Sequence, residues 1–423
     1  MLCQFSFKNY KIFKNEAFLD FMAEPIREHK ESLLVDETDG ERFIPVIAIY
    51  GPNAGGKSTV LDALNFLRRY VLQTVLLTRL QDRNNYELFL KNFSVDTSRT
   101  WYHKCDPDCR NLPTSFDVMF RTKKRQFRYC LSLQDGKVVE ENLYAQEIGE
   151  KDAEVIFERT EEECLLGKNV EDIAVEWVNG AMPLLSHIAI NYDIEIIDEA
   201  VGWFLKIDVI DYDNPRKDRQ ILIPATEKER RKMFDILHAL DIQITDIRFV
   251  KDADGNILNV YAKHALPNGE EFEIPFEEES SGTRKLFSFL GECISCLEEG
   301  NLILADELDA KLHPKLLEYI IALFTNPKSN QNGAQLLLTS HDITTMNPSV
   351  FRRDEIWFCA RNPMGASKLY SLISFRKENG QQPRNDEIYG KRYLEGRYGA
   401  DPYIRKILSW EEGEDEPEAQ EVQ

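Results

Sequence analysis

The run GPNAGGKST, from Gly51 to Thr59, constrains the fold of this chain more than any other stretch. It sets Gly51, Gly56, Lys57 and Ser58 at the spacing G-x-x-x-x-G-K-[ST]. The apolar run 44–50 precedes it, and a helix-like run with Val60, Leu64, Leu67 and Val71 on one face follows. Strand, loop and helix in that order make a phosphate cradle. Gly51, Pro52, Asn53, Ala54, Gly55 and Gly56 turn backbone N–H groups toward phosphate oxygens, and the helix start at Lys57, Ser58 and Thr59 adds partial positive charge. Lys57 reaches the outer phosphates and the Ser58 hydroxyl suits Mg²⁺, so the expected ligands are ATP and Mg²⁺.

A second set of residues lies far along the chain. NLILADELDAKLHP (301–314) is an apolar strand ending in Asp306 and Glu307, two carboxylates with separable tasks. Asp306 holds the metal through its water shell, and Glu307 orients the water that attacks the γ-phosphate. QLLLTSHD (335–342) is another strand, ending at His341, where an imidazole meets the γ-phosphate. Lys57, Glu307 and His341 are therefore the expected catalytic residues, with Ser58 and Asp306 on the metal.

Just upstream, EESSGTRKLF (278–287) opens a helix with Leu286, Leu290, Cys293 and Leu297 on one face. This resembles the signature motif of ABC-type ATPases, with Ser280 at the signature serine and Ser281 and Gly282 at the two glycine positions; Ser281 departs from the pattern. An ordinary capped helix start has the same local form. The resemblance implies that Ser280, Ser281 and Gly282 cap a nucleotide held on the loop of a second copy, in a head-to-tail dimer or a higher homo-oligomer. A hydroxyl and free N–H groups at a helix start give that surface its affinity for anions. The stretch between 58 and 280 is longer than in transporter ATPases and shorter than in proteins with long coiled-coil arms.

The chain is most similar to stand-alone ATPases described as RloA-like, relatives of the ATPase half of OLD proteins from bacterial anti-phage systems. FSFKNYKIFKN near the start, GPNAGGKST, FRYCLSL with NLYAQE, ESSGTRKLF, LADELDAKLHP, LLLTSHD and KRYLEGRYGADPYI (391–404) carry the resemblance. Similar ATPases occur in the defence system called PARIS. The implied role is a sensor or regulatory subunit controlling a separate effector protein, a TOPRIM-type nuclease in such systems, since too few residues follow 341 for a fused nuclease. The alternative, from another class, is a RecF-like ATP-dependent DNA-binding repair factor.

Charge bears on that choice. The net charge of −21 opposes a broad grip on duplex DNA by this chain alone. RTKKRQFR (121–128), the densest basic cluster, sits between two strand-like runs and reads as a solvated hairpin turn. No long apolar stretch and no apolar leader are present, so a cytoplasmic chain with no membrane span is expected. His103, Cys105 and Cys109 lie close in a polar loop without the second pair a zinc site needs, and Cys293 and Cys296 fall on an apolar helix face as core thiols.

The fold class that follows is α/β: a P-loop NTPase of ABC-ATPase type, two lobes around a mixed sheet with a helical insertion. Residues 1–160 form a first lobe with the glycine loop and antiparallel strands, and 161–245 a mainly helical insertion. Residues 246–404 form a second lobe with the signature, the acidic pair and His341, and 405–423 an acidic, disordered tail.

Overall fold

The structure is a computed structural model that describes residues 1–79, 95, 101–175, 178–210, 226–240, 242–252, 257–266, 268–310, 312–376, 383–384 and 387–400. The acidic tail lies outside the described residues. From the N-terminus, β1 (Leu2–Lys8) and β2 (Ala17–Asp20) form a hairpin, and β3 (Leu34–Val35) and β4 (Arg42–Phe43) a small ribbon. Strand β5 (Val46–Tyr50) runs into the glycine loop and helix α1 (Lys57–Arg79). Then come β6 (Thr114–Arg121), β7 (Arg125–Gln134), β8 (Lys137–Glu147), β9 (Glu154–Thr160) and β10 (Cys164–Leu166). Helices α2 (Leu184–Asn191) and α3 (Glu195–Leu205), strand β11 (Ile207–Ile210) and helix α4 (Glu227–Ala239) follow. The remainder holds β12 (Ile244–Lys251), β13 (Ile257–Ala265), β14 (Glu271–Pro275), α5 (Ser281–Glu299), β15 (Leu302–Ala305) and α6 (Pro314–Thr325). It closes with β16 (Gln335–Thr339), β17 (Ile356–Arg361), β18 (Ser367–Ser371) and α7 (Tyr389–Leu394).

The six-stranded sheet β11-β15-β16-β5-β17-β18 positions the site. Its first five strands are parallel and β18 is an antiparallel edge. Parallel strands buried on both faces read as unbroken apolar runs, which is how VIAIY, LILA and QLLLT appear in the sequence. Alternate residues serve different cores. Ile47, Ile49, Leu302, Leu304 and Leu337 face one core with α1, α2 and α3, whereas Val46, Ala48, Ile303, Ala305, Leu336 and Leu338 face the other with α4, α5 and α6. The sheet draws β5 from the first segment, β11 from 161–245 and the rest from the last. The segment read as mainly helical thus also supplies the edge strand beside β15.

The seven-stranded antiparallel sheet β10-β9-β8-β7-β6-β1-β2 covers the first core. The β7–β8 turn is Asp135–Gly136, both at positive φ (50° and 76°), the twist a two-residue hairpin favours. The basic run 121–128 is the β6–β7 hairpin, as expected, and four of its five basic side chains are paired: Arg121 with Asp36 and Asp39, Arg128 with Asp117, Arg125 with Glu147 and Glu199, Lys124 with Glu195. Cys293 and Cys296 are fully buried on α5, and burial holds both thiols well above the ordinary value. Among the described residues, no helix is long and apolar enough to cross a membrane.

Candidate functional site

The loop between β5 and α1 needs its glycines. Gly51 has φ 152°, and a Cβ there would lie 2.3 Å from the Cys359 carbonyl oxygen of the neighbouring strand β17. Gly56 has φ 114°, and a Cβ would stand 3.0 Å from Ile12 and Phe13, in the turn between β1 and β2. A side chain at either position would push apart the walls of the cradle. Ala54, at φ 58°, completes the inward curl. Lys57 is 6% exposed, and its ammonium donates to the carbonyls of Gly51 (3.1 Å) and Pro52 (3.2 Å). An ammonium has three donors, so this leaves one for a ligand oxygen. Burial lowers the Lys57 pKa; Cys359 and then the carboxylates of Glu307, Asp306 and Asp309 oppose the shift.

The acidic pair lies on the other side of β5's neighbour. Asp306 Oδ1 accepts from the Ser58 hydroxyl at 3.1 Å, which joins the glycine loop to the turn after β15. It also accepts from the Thr339 hydroxyl at 2.5 Å, and that hydroxyl in turn accepts the Glu307 N–H at 2.7 Å. Glu307 has φ 46°, unusual for a residue with a side chain. Its carboxylate is half-exposed, with Oε1 4.0 Å from His341 Nε2. The His341 N–H donates to Asp309 Oδ2 at 3.1 Å. Lys285, on α5, donates to the carbonyls of Glu307 (3.2 Å) and Ala310 (2.5 Å).

Lys57, Ser58, Asp306, Glu307 and His341, scattered along the sequence, thus converge at the carboxyl ends of β5, β15 and β16, the side of an open α/β sheet where ligands bind. The residues fit the expected ligands. The cradle is one that a Cβ would fill, and the oxygen donors Ser58 and Asp306 suit a hard cation. Ser280 is the N-cap of α5, its hydroxyl accepting the Thr283 N–H at 3.0 Å. Among the described residues, no hydrogen bond joins 280–282 to 51–59, and the structure does not bring the signature residues onto the chain's own glycine loop.

Thr339, Lys285 and Asp309 escaped the sequence reading. Thr339 ends an apolar strand and Lys285 sits in a helix; neither residue type nor spacing marks them, and only the fold brings them to the acidic pair. The loop with His103, Cys105 and Cys109 proves to be tied down by Asn9: its Nδ2 donates to the Cys109 and Leu112 carbonyls, and its Oδ1 accepts the His103 N–H. His103 is buried with Nδ1 3.0 Å from the Lys11 carbonyl.

Strand order, glycine loop and acidic pair together define a P-loop NTPase fold. The model of the family described as "AAA domain, putative AbiEii toxin, Type IV TA system" matches residues 46–163 and 182–347, about two thirds of the sequence, and the chain belongs to that AAA-domain family. No curated protein matches. Among solved structures, an Smc head bound to the C-winged helix domain of ScpA is similar at TM-score 0.45 and 14% identity, over 88% of this chain and 97% of that one. The SMC head domain from Thermotoga maritima gives 0.41 and 13%, over 88% and 98%. The Smc head domain with an extended coiled coil bound to the C-terminal domain of ScpA, from Pyrococcus furiosus, gives 0.40 and 12%, over 88% and 96%.

Proposed function

We propose that this chain binds and hydrolyses ATP in sites shared between two copies, and acts as the sensor or regulatory subunit of an anti-phage complex. One observation carries the ATPase reading: Lys57, Ser58, Asp306, Glu307 and His341 meet at the carboxyl ends of β5, β15 and β16, with Ser58 bonded to Asp306. The P-loop amides and Lys57 bind the triphosphate and offset its charge. Ser58 and Asp306 would hold Mg²⁺, which when bound would supply charge stabilisation to the phosphates. Glu307 accepts a proton from the attacking water as it orients it, and His341 donates toward the oxygens of the γ-phosphate. Ser280, Ser281 and Gly282 supply the cap from the second copy, a role that rests on the resemblance of 278–287 to the ABC signature and suits the N–H groups at a helix start.

The defence role rests on the similarity to RloA-like ATPases, and the effector is a separate chain, a TOPRIM-type nuclease by the same similarity. Paired charges on the basic hairpin and the net charge of −21 weigh against the DNA-clamp alternative. The test is light scattering of the Glu307→Gln protein with and without Mg-ATP, alongside purification of the wild type from its native operon. ATP-driven doubling of mass with a copurifying neighbour supports the reading. A monomer under all conditions that elutes from DNA only at raised salt overturns it.

A further inference from the structure

We propose that Thr339 is the positioning residue that fixes both members of the Asp306–Glu307 pair, and thereby sets how strongly Mg²⁺ tightens nucleotide binding; this rests on the ATPase reading above. Thr339 is the last residue of β16 and is fully buried. Strands β15 and β16 pair as far as Ala305 and Leu338. Beyond that rung the ladder is continued by Thr339 itself. Its hydroxyl accepts the Glu307 N–H at 2.7 Å and donates to Asp306 Oδ1 at 2.5 Å, while its carbonyl accepts the Leu308 N–H at 3.2 Å. Three consecutive residues after β15 are tied to one residue of the next strand.

The turn needs this hold. Glu307 stands at φ 46°, a region that is costly for a residue with a Cβ and persists only where the surroundings over-determine it. Removing the hydroxyl leaves the Glu307 N–H without that acceptor and leaves Asp306 Oδ1 with the Ser58 hydroxyl at 3.1 Å. The carboxylate is then free to rotate away from the place where metal-bound water meets it. A threonine that merely filled space would do neither, since valine has the same shape.

The experiment measures the affinity of the full chain for a fluorescent ATP (MANT-ATP) in EDTA and in Mg²⁺, for the wild type and for Thr339→Val, Thr339→Ala and Thr339→Ser. Val and Ala should bind as the wild type does in EDTA yet lose about tenfold of the tightening that Mg²⁺ gives, the usual worth of a hydrogen bond to a charged group. Ser, which keeps the hydroxyl, should stay within about twofold of the wild type. Full Mg²⁺ tightening in Val and Ala overturns the proposal, as does an equal loss in Ser and Val, which would make the methyl group the cause. A wild type that binds equally in EDTA and Mg²⁺ also overturns it while leaving nucleotide binding intact. A wild type that binds in neither sinks the ATPase reading itself.

Discussion

Replacing Lys57 by methionine separates what this side chain does for binding from what it does for folding. The residue is 6% exposed, and burial lowers the pKa of its amine from the lysine value of 10.5. A folded-state value below the unfolded one means that the charged amine opposes folding. That deficit is fully present at neutral pH and is recovered only as pH rises through the window ending at 10.5. Two charge-assisted hydrogen bonds to the Gly51 and Pro52 carbonyls act against it. Methionine removes the penalty and both bonds while roughly keeping the volume, so the two losses oppose each other and the empty protein should melt within a few degrees of the wild type. Binding has no such cancellation. The amine's remaining donor meets a multiply charged phosphate, a contact worth about 1.5–3 kcal/mol, or roughly 10- to 150-fold in affinity. Thermal melting without nucleotide and MANT-ATP titration measure the two sides. A melting point lowered by 10 °C, or an affinity within twofold of the wild type, would refute the reasoning.

Three further outcomes are expected. Glu307→Gln should keep ATP binding while slowing steady-state phosphate release by about 10²-fold or more, and near-normal turnover would remove Glu307 from the water-orienting role. Gly51→Ala puts a Cβ 2.3 Å from the Cys359 carbonyl, so the variant should lose nucleotide binding and melt several degrees lower; a wild-type melting point would contradict the close approach. Gly282→Asp should still bind ATP as a monomer but fail to associate, and mixing it with Lys57→Ala should restore one working site per pair. Turnover of the mixture no higher than that of either variant alone would argue against sites shared between copies.

Legibility in the sequence followed periodicity and short-range chemistry. VIAIY, LILA and QLLLT were legible as buried strands because strands covered on both faces read as unbroken apolar runs. The glycine loop was readable because its backbone needs residues that few other positions tolerate. By contrast, IDVI (207–210) is short and follows two helices, so nothing local distinguishes an edge strand of the core sheet from the end of a helical insertion. Thr339 and Lys285 were invisible for a related reason: a threonine ending a strand and a lysine early in a helix are commonplace, and their partners lie at 306–308 and 307–310, which only the parallel pairing and the packing of α5 bring near.

On the proposed reading, these late-found contacts explain how a distant event can reach the chemistry. The turn after β15 is held by hydrogen bonds from the end of β16 and from α5: the Thr339 hydroxyl and carbonyl, the Lys285 amine and, through Asp309, the N–H of His341. Lys285 lies one turn beyond Ser280, so an anion or a second copy that shifts the start of α5 pulls on the Glu307 carbonyl through one rigid helical turn. Because Glu307 sits at a left-handed φ, its peptide has a nearby relaxed alternative, and losing one tether moves the carboxylate more than it would in a regular strand. The tethers should therefore act together: Lys285→Met and Thr339→Val should each slow turnover, and the double variant should lose less than the product of the two losses. Independent, multiplicative losses in that double-mutant cycle would show that the signature helix and the sheet reach Glu307 by separate routes.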